Sequence, residues 1–215
     1  DNVQPNVISD TVTGITNHLF TNDTSVQSSP GYPYVSSVDD NGIILRGSTS
    51  SGGNISGRSM VVWCWKAGGA AVANTDGTIA SQVSVNHEAK FSIVTYTGNS
   101  TDGATVGHGL GVEPSFVIIK SRNLGTVGSA GAHWSVSHQY LTGGLNGGNS
   151  AVRIFFSLTN EERSNAHGAI SAASSTTVTF KDGSGNSDDA HVNNSSGTYI
   201  MYSWADVPGY SRFGS

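Results

Sequence analysis

The sequence predicts an all-β fold, an antiparallel β-sandwich, on three observations. Short runs of β-branched and aromatic residues follow one another along the 215-residue chain, with Gly, Asn and Ser turn signals between them. None of the longer segments has an apolar stripe at helical spacing. Only 12% of residues are charged and 28 are glycine, a composition typical of loop-rich β proteins, while the 36% of hydrophobic residues can bury a core.

The predicted strands differ in how deeply they should be buried. Phe91–Thr97 is β-branched and aromatic and ends at Gly98, a turn signal. Residues 115–120 are apolar on both faces, which indicates a central strand. Residues 133–140 alternate apolar and polar side chains, as a half-buried strand requires. The remaining strand segments are 152–158, 177–180 and 199–204.

The run MVVWCWKAGG, residues 60–69, is predicted to be the closing, central strand of a sandwich unit and therefore core. A second run, YIMYSW at 199–204, has the same rhythm, and Trp65 and Trp204 lie 139 positions apart. Because the two runs align over six positions without a gap, with apolar residues at five of them and a shared Trp at the last, they indicate an internal repeat.

Two further matches support the repeat. FTND at 20–23 aligns with LTNE at 158–161, which is an offset of 138. Residues 43–45 correspond to 177–180, with a small difference in loop length. Separated matches at nearly the same offset favour two copies of one unit.

The repeat divides the chain unequally. Residues 1–69 are predicted to be the C-terminal part of a first module, 70–89 a connector, and 90–215 a complete second module. The first copy lacks counterparts of the opening strands. Three explanations remain open: the chain is a piece of a longer polypeptide, a neighbouring subunit supplies the strands by strand addition, or the partial unit folds in its own way.

Several motifs together resemble a known module. They are VVWCWKAGG, NTDGTIASQVSVN, FSIVTYTGN, GATVGHGLG, PSFVIIKSRN and GYSRFGS. The sequence is similar to a tandem module of unassigned function in tail-fibre-like and other virion structural proteins of mostly marine tailed bacteriophages. The match is strongest over 61–123 and 198–215. The resemblance implies a concanavalin A-like or laminin-G-like jelly roll on the virion surface, and it brings no catalytic residues.

Charge and cysteine content exclude several classes. The net charge of −5, without a local Lys/Arg cluster, argues against phosphate-based binding of nucleic acid. The single cysteine, Cys64, excludes an intrachain disulfide and a metal site built from several cysteines. Without an apolar run of membrane-spanning length, membrane insertion is not expected.

Catalytic patterns are weak, so we expect a protein that is not an enzyme. The four glutamates do not form the spaced carboxylates of a glycosidase strand, and Glu161 and Glu162 are adjacent and would diverge. No Gly-x-Ser-x-Gly elbow is present. His167 and His191 lie in polar loops and are expected to be exposed.

Two kinds of binding residue are candidates. The loop DGSGNSDD offers oxygen ligands of the kind Ca²⁺ prefers, from Asp182, Asn186, Asp188 and Asp189, with a solvated hairpin tip as the alternative; no other cofactor is indicated. For sugar stacking the candidates are Tyr32, Tyr34 and Tyr140, because Trp63, Trp65 and Trp204 lie in strands that look buried.

The resemblance, together with the absence of catalytic patterns, implies a non-enzymatic virion structural protein, a β-sandwich segment of a phage tail fibre or surface appendage. Attachment to host-surface glycans is a natural extension. A capsid decoration protein is the alternative, and a polysaccharide-degrading enzyme is the third. Expected partners are other virion proteins, further copies in a homo-oligomer, and host polysaccharide, and the expected location is the virion surface.

Overall fold

A computed structural model of the chain describes residues 6–28, 34–47, 54–57, 59–127, 130–148, 151–159, 162, 168–181 and 191–214. The described part contains 16 strands. They are β1 Val7–Ile8, β2 Leu19–Phe20, β3 Val35–Asp39, β4 Gly42–Leu45, β5 Val72–Asn74, β6 Ser81–Asn86, β7 Phe91–Thr97, β8 Thr105–Gly107, β9 Phe116–Ser121, β10 Thr126–Val127, β11 Ala130–Gly131, β12 Ser135–His138, β13 Ile154–Phe155, β14 Ala169–Ala173, β15 Thr177–Lys181 and β16 Thr198–Trp204.

Two antiparallel sheets form the body of the protein. One has seven strands in the order β13-β12-β9-β16-β7-β6-β5, and the other has three in the order β14-β15-β8. Short pairs β1-β2, β3-β4 and β10-β11 accompany them. The structure confirms the predicted all-β antiparallel sandwich.

Strand β16 is central, as its apolar sequence predicts. It pairs with β7 from Thr198 opposite Thr97 to Trp204 opposite Phe91. On its other side it pairs with β9. Because a strand with two neighbours inside a covered sheet has no solvent-facing side, both of its faces must be apolar.

The inner core lies between the two sheets. Val94 and Met201 of the large sheet and Val178 of the small one are fully buried there. The ring of Tyr96 stacks on Tyr199 at 5.2 Å between centroids and on Phe180 at 5.4 Å. Aromatic side chains therefore join the sheets across the centre of the sandwich.

The N-terminal segment covers the outer face of the seven-stranded sheet. Leu19 is buried in a second apolar cluster with Trp134 and Ile200. The indole Nε1 of Trp134 donates a hydrogen bond to the carbonyl oxygen of Phe20 at 2.7 Å. Residues 6–28, predicted to belong to a first module, thus pack on the sheet of the second.

The predicted connector at 70–89 contributes to the seven-stranded sheet. Its residues form β5 and β6, which pair with each other and with β7 at the edge of the large sheet. The small polar residues between the strands form a turn, in which the side-chain oxygen of Asn74 accepts a hydrogen bond from the amide of Asp76 at 2.7 Å. Turn chemistry, rather than a linker, explains this composition.

The prediction that residues 60–65 form a buried central strand was wrong. This segment has no strand assignment, and Val61 and Trp63 are 79% and 77% exposed. Its matching strand β16 is buried because β7 and β9 flank it. Among the described residues, segment 60–65 has no such neighbours, and an apolar sequence alone cannot supply them.

Lys120 is a buried cation in β9. Its ammonium donates hydrogen bonds to the carbonyl oxygens of Ala132 at 2.7 Å and Thr24 at 3.2 Å. Burial lowers the pKa of Lys120 to about 8, and the negative charge of Asp23 opposes part of this shift.

Stability is therefore expected to rise with pH through this group. The unfolded chain keeps the ordinary lysine pKa, so between about pH 8 and about pH 10 it binds more protons than the folded chain, and the free energy of unfolding increases. Urea unfolding over this range would measure the rise. In Lys120→Met the rise should be smaller; identical slopes in both proteins would contradict the assignment.

Candidate functional site

A polar cleft lies where β12 continues into the loop that follows it. Its volume is about 370 Å³. It is lined by Glu113, Pro114, Ser115, Gln139, Gly143, Gly144, Leu145 and Asn146. Three separate segments meet here because the antiparallel pairing of β9 and β12 places the start of one beside the end of the other.

Hydrogen bonds hold the lining groups in place. The amide of Asn146 donates to Oε1 of Glu113 at 2.7 Å, and its side-chain oxygen accepts from the backbone N–H of Ala173 at 2.8 Å. Gln139 donates through Nε2 to the carbonyl oxygen of Phe213 at 2.7 Å. Gly144 has a φ of +58°, which lets the loop turn back towards Gln139. The cleft thus presents fixed amide and carboxylate groups.

Tyr140 follows Gln139 directly and is 53% exposed. Its backbone N–H donates to Nδ1 of His138 at 3.1 Å, and the two rings lie 5.7 Å apart. Burial lowers the pKa of His138, so the imidazole is neutral near pH 7 and its Nδ1 can accept this bond. Tyr140 does not itself line the cleft, but an exposed ring next in the chain to the lining residue Gln139 suits the stacking of a sugar.

The other tyrosine candidates differ. Tyr34 is partly buried, with its ring 5.2 Å from that of His18 and 6.4 Å from that of Phe20, so it packs against the N-terminal segment. Burial raises the pKa of its hydroxyl. Tyr32 lies outside the described residues. Of the two described candidates, Tyr140 has the more exposed ring.

The tryptophans of segment 60–65 were expected to be buried and are not. Trp63 and Trp65 lie edge to face at 6.4 Å, and both are exposed. Trp65 also contacts Trp204 at 5.8 Å. The rings of Trp63 and Trp65 thus form an exposed aromatic surface, although both were predicted to lie in the core.

A cluster of polar side chains at the β12-β13 edge has no signal in the sequence. Nδ1 of His133 lies 2.7 Å from the hydroxyl oxygen of Ser157, and the backbone N–H of His133 donates to Nδ1 of His191 at 3.1 Å. Phe155 lies 4.7 Å from the His191 ring, and the guanidinium of Arg153 lies 4.6 Å from the centre of Phe155. His191, expected to be exposed, is 2% exposed.

The register of the sheet brings this cluster together. Ser135 faces Phe155 across the β12-β13 pair, and continuing the antiparallel register by two residues places position 133 opposite 157. Because β12 and β13 are joined by a loop whose length does not reveal this pairing, spacing in the sequence cannot show the contact.

The described residues do not bring the metal and catalytic candidates together. Asp182, Asn186, Asp188 and Asp189 lie outside the described residues, as does Glu161. Glu162 accepts hydrogen bonds from the backbone N–H and the hydroxyl of Thr142, the latter at 3.0 Å, which ties two loops together. Within the described ranges, no group of three His, Cys, Asp or Glu side chains could hold a metal ion. Nor does that part contain a helix with the length and hydropathy to cross a membrane.

A family model described as "Domain of unknown function (DUF7483)" matches residues 1–215. The chain belongs to this family. No curated protein and no solved structure matches it. In this member of DUF7483 the structure shows a β-sandwich with a polar cleft lined in part by Gln139 and an exposed apolar segment at residues 60–65.

Proposed function

We propose that this chain is a non-enzymatic structural protein of a bacteriophage virion, a β-sandwich segment of a tail fibre or related surface appendage. The observation that supports this most is the repeat. Trp65 and Trp204 hold equivalent positions in the two copies, and their rings are in contact at 5.8 Å. Repeated units that pack on their neighbours along one chain fit an elongated fibre.

The surface composition fits the same role. With 12% charged residues and a net charge of −5, the exterior depends on neutral hydroxyl and amide groups, while the negative balance limits aggregation. Such a surface suits an appendage that meets solvent on all sides.

Attachment to host glycans is the second part of the proposal. Tyr140 supplies an exposed ring, and the adjoining cleft supplies Gln139, Asn146 and Glu113 as hydrogen-bonding groups. Carbohydrate sites combine an aromatic face with a few fixed polar groups in this way.

Immunogold electron microscopy tests the structural role. Antibodies raised against residues 90–215 would be applied to purified particles of the virus that encodes the protein. We expect label on a tail appendage. Label over the head would favour a capsid decoration protein, and particles without label would overturn the virion role.

Replacing Tyr140 with alanine tests the glycan site. The change should weaken binding to host-surface polysaccharide by about tenfold, because one exposed stacking ring is lost. Tyr210→Ala is the matched control, since that ring is 71% exposed and neither Tyr210 nor its chain neighbours line the cleft, whereas Tyr140 directly follows the lining residue Gln139. Titration calorimetry would measure both variants.

Equal losses in the Tyr140 and Tyr210 variants, or none in either, would contradict the site. Release of reducing ends from the same polysaccharide would instead support the polysaccharide-degrading alternative.

A further inference from the structure

Segment 60–65 is held at one end and exposed along its length. The side chain of Asn86 donates to the carbonyl oxygen of Lys66 at 3.1 Å, and the hydroxyl of Ser84 donates to that of Gly69 at 2.7 Å, so residues 66–69 are tied to β6. In the described part of the chain, no hydrogen bond joins the backbone of 60–65 to another segment. Its apolar side chains and backbone groups therefore lack the cover that a buried strand has.

The matching strand shows what such a sequence packs against. At positions 199–204 the side chains are buried, with β7 on one side and β9 on the other. Trp204, the counterpart of Trp65, stacks on Phe91 of β7 at 4.9 Å and lies 5.4 Å from Phe116 of β9. The side chains on the two faces of β16 lie in two different apolar clusters, so both faces are buried.

The β3-β4 hairpin of the first copy also has exposed apolar side chains. The β3-β4 hairpin comes before segment 60–65 in the chain, as the β14-β15 hairpin comes before β16. In the second copy, Ile170 and Val178 of that hairpin are buried against the large sheet. In the first copy, Val38 and Ile44 are exposed. Among the described residues, the first copy thus has the hairpin and segment 60–65 but no sheet on which they pack as their counterparts do.

We propose that segment 60–65 is a strand acceptor for the opening strands of another unit of this repeat. The occupant is a pair of strands with the chemistry of β7 and β9, which would lie antiparallel to the segment on its two sides. It is not a folded second copy of this chain, because the β7 and β9 of such a copy are already paired with its own β16. Strand addition would satisfy the open backbone groups and bury both apolar faces.

This inference goes beyond the virion role and does not depend on it. Its basis is the shared apolar pattern of segment 60–65 and residues 199–204 of β16, together with the contrasting burial of the two. The inference can therefore fail while the virion role holds, and the reverse is also true.

Cys64 gives a site-specific test. It is the only cysteine, it is exposed, and its counterpart Ser203 is fully buried between β7 and β9. A second copy of residues 90–123, which contains β7 and β9, would be joined to the N-terminus of the full chain by a flexible linker. Reaction of Cys64 with a thiol reagent should then slow by at least about tenfold, because buried cysteines are inert.

Val62→Asp in the receiving segment is the control. Val62 is 46% exposed, so the variant without the added strands should unfold at the parent temperature. With the added strands, its Cys64 should react as fast as in the parent chain, because a carboxylate cannot enter the apolar interface.

Three results would overturn the proposal. The first is an unchanged rate of Cys64 labelling in the extended chain. The second is equal protection in the extended chain and its Val62→Asp form, which would mean that shielding is nonspecific. The third is a dimer of the parent chain with Cys64 already protected, which would make a second copy the occupant; sedimentation of the parent chain detects it.

Discussion

Replacing Trp134 with alanine is expected to lower the free energy of unfolding by about 4 kcal/mol. Trp134 is fully buried in the cluster between the seven-stranded sheet and the N-terminal segment. The change leaves a large cavity and removes the hydrogen bond from the indole to the carbonyl oxygen of Phe20. Urea unfolding at neutral pH would measure the loss.

Trp63→Ala is the matched control for this prediction. The two side chains are identical, but Trp63 is largely exposed. Its removal should change the free energy of unfolding by less than about 0.5 kcal/mol. A loss at Trp63 comparable to that at Trp134 would show that segment 60–65 is core after all.

The second large effect is expected at Asp10. Its carboxylate accepts hydrogen bonds from the hydroxyl of Tyr202 at 2.9 Å, from the backbone N–H groups of Val12 and Thr13 at 2.9 and 2.7 Å, and from the Thr13 hydroxyl at 2.9 Å. Asp10→Ala leaves the buried Tyr202 hydroxyl without this partner and releases the turn of the covering segment. We expect a loss of about 3 kcal/mol, measured by urea unfolding.

Two comparisons isolate the cause of that loss. Asp39→Ala also removes a carboxylate that caps a turn, because Asp39 accepts a hydrogen bond from the backbone N–H of Asn41. That carboxylate is exposed, so the free energy of unfolding should change little. Tyr202→Phe removes the buried hydroxyl, so adding Asp10→Ala to it should cost less than Asp10→Ala alone. Fully additive losses would contradict a direct contribution from this hydrogen bond.

The central strands of the seven-stranded sheet could be predicted because the pattern of apolar residues in each indicates how deeply the strand is buried. Residues 115–120 and 199–204 were predicted to be central from apolar residues on both faces, and the strands they form, β9 and β16, lie inside the seven-stranded sheet. Alternation in 133–140 correctly predicted β12, although its burial is deeper than half. The reason is that the N-terminal segment covers the outer face of the sheet, which no local pattern reveals.

The error at segment 60–65 has the opposite cause. Its sequence indicates that it could be a buried strand, but burial also requires neighbours, and these are supplied by other segments. The same residue pattern is therefore core in β16 and exposed at 60–65. An apolar sequence shows that a segment could be buried, but it does not show whether other segments lie beside it.

The candidate site was predictable only in part. The position of Tyr140 at the end of an alternating run is visible in the sequence. The cleft beside it is not, because Glu113, Gln139 and Asn146 meet only through the pairing of β9 with β12 and the turn at Gly144. Likewise, Tyr34 is partly covered by His18 and Phe20, a contact between segments that spacing does not show.

Amide hydrogen exchange of the full chain, followed by mass spectrometry, tests the central claim most directly. It compares segment 60–65 with residues 199–204, which have matching sequences in different surroundings. We predict exchange near the unprotected rate in 60–65, and exchange slower by at least about a thousandfold in 199–204, where opening requires unfolding of the central sheet. Equal protection of the two segments would contradict the account, because it would mean that segment 60–65 already has its strand neighbours.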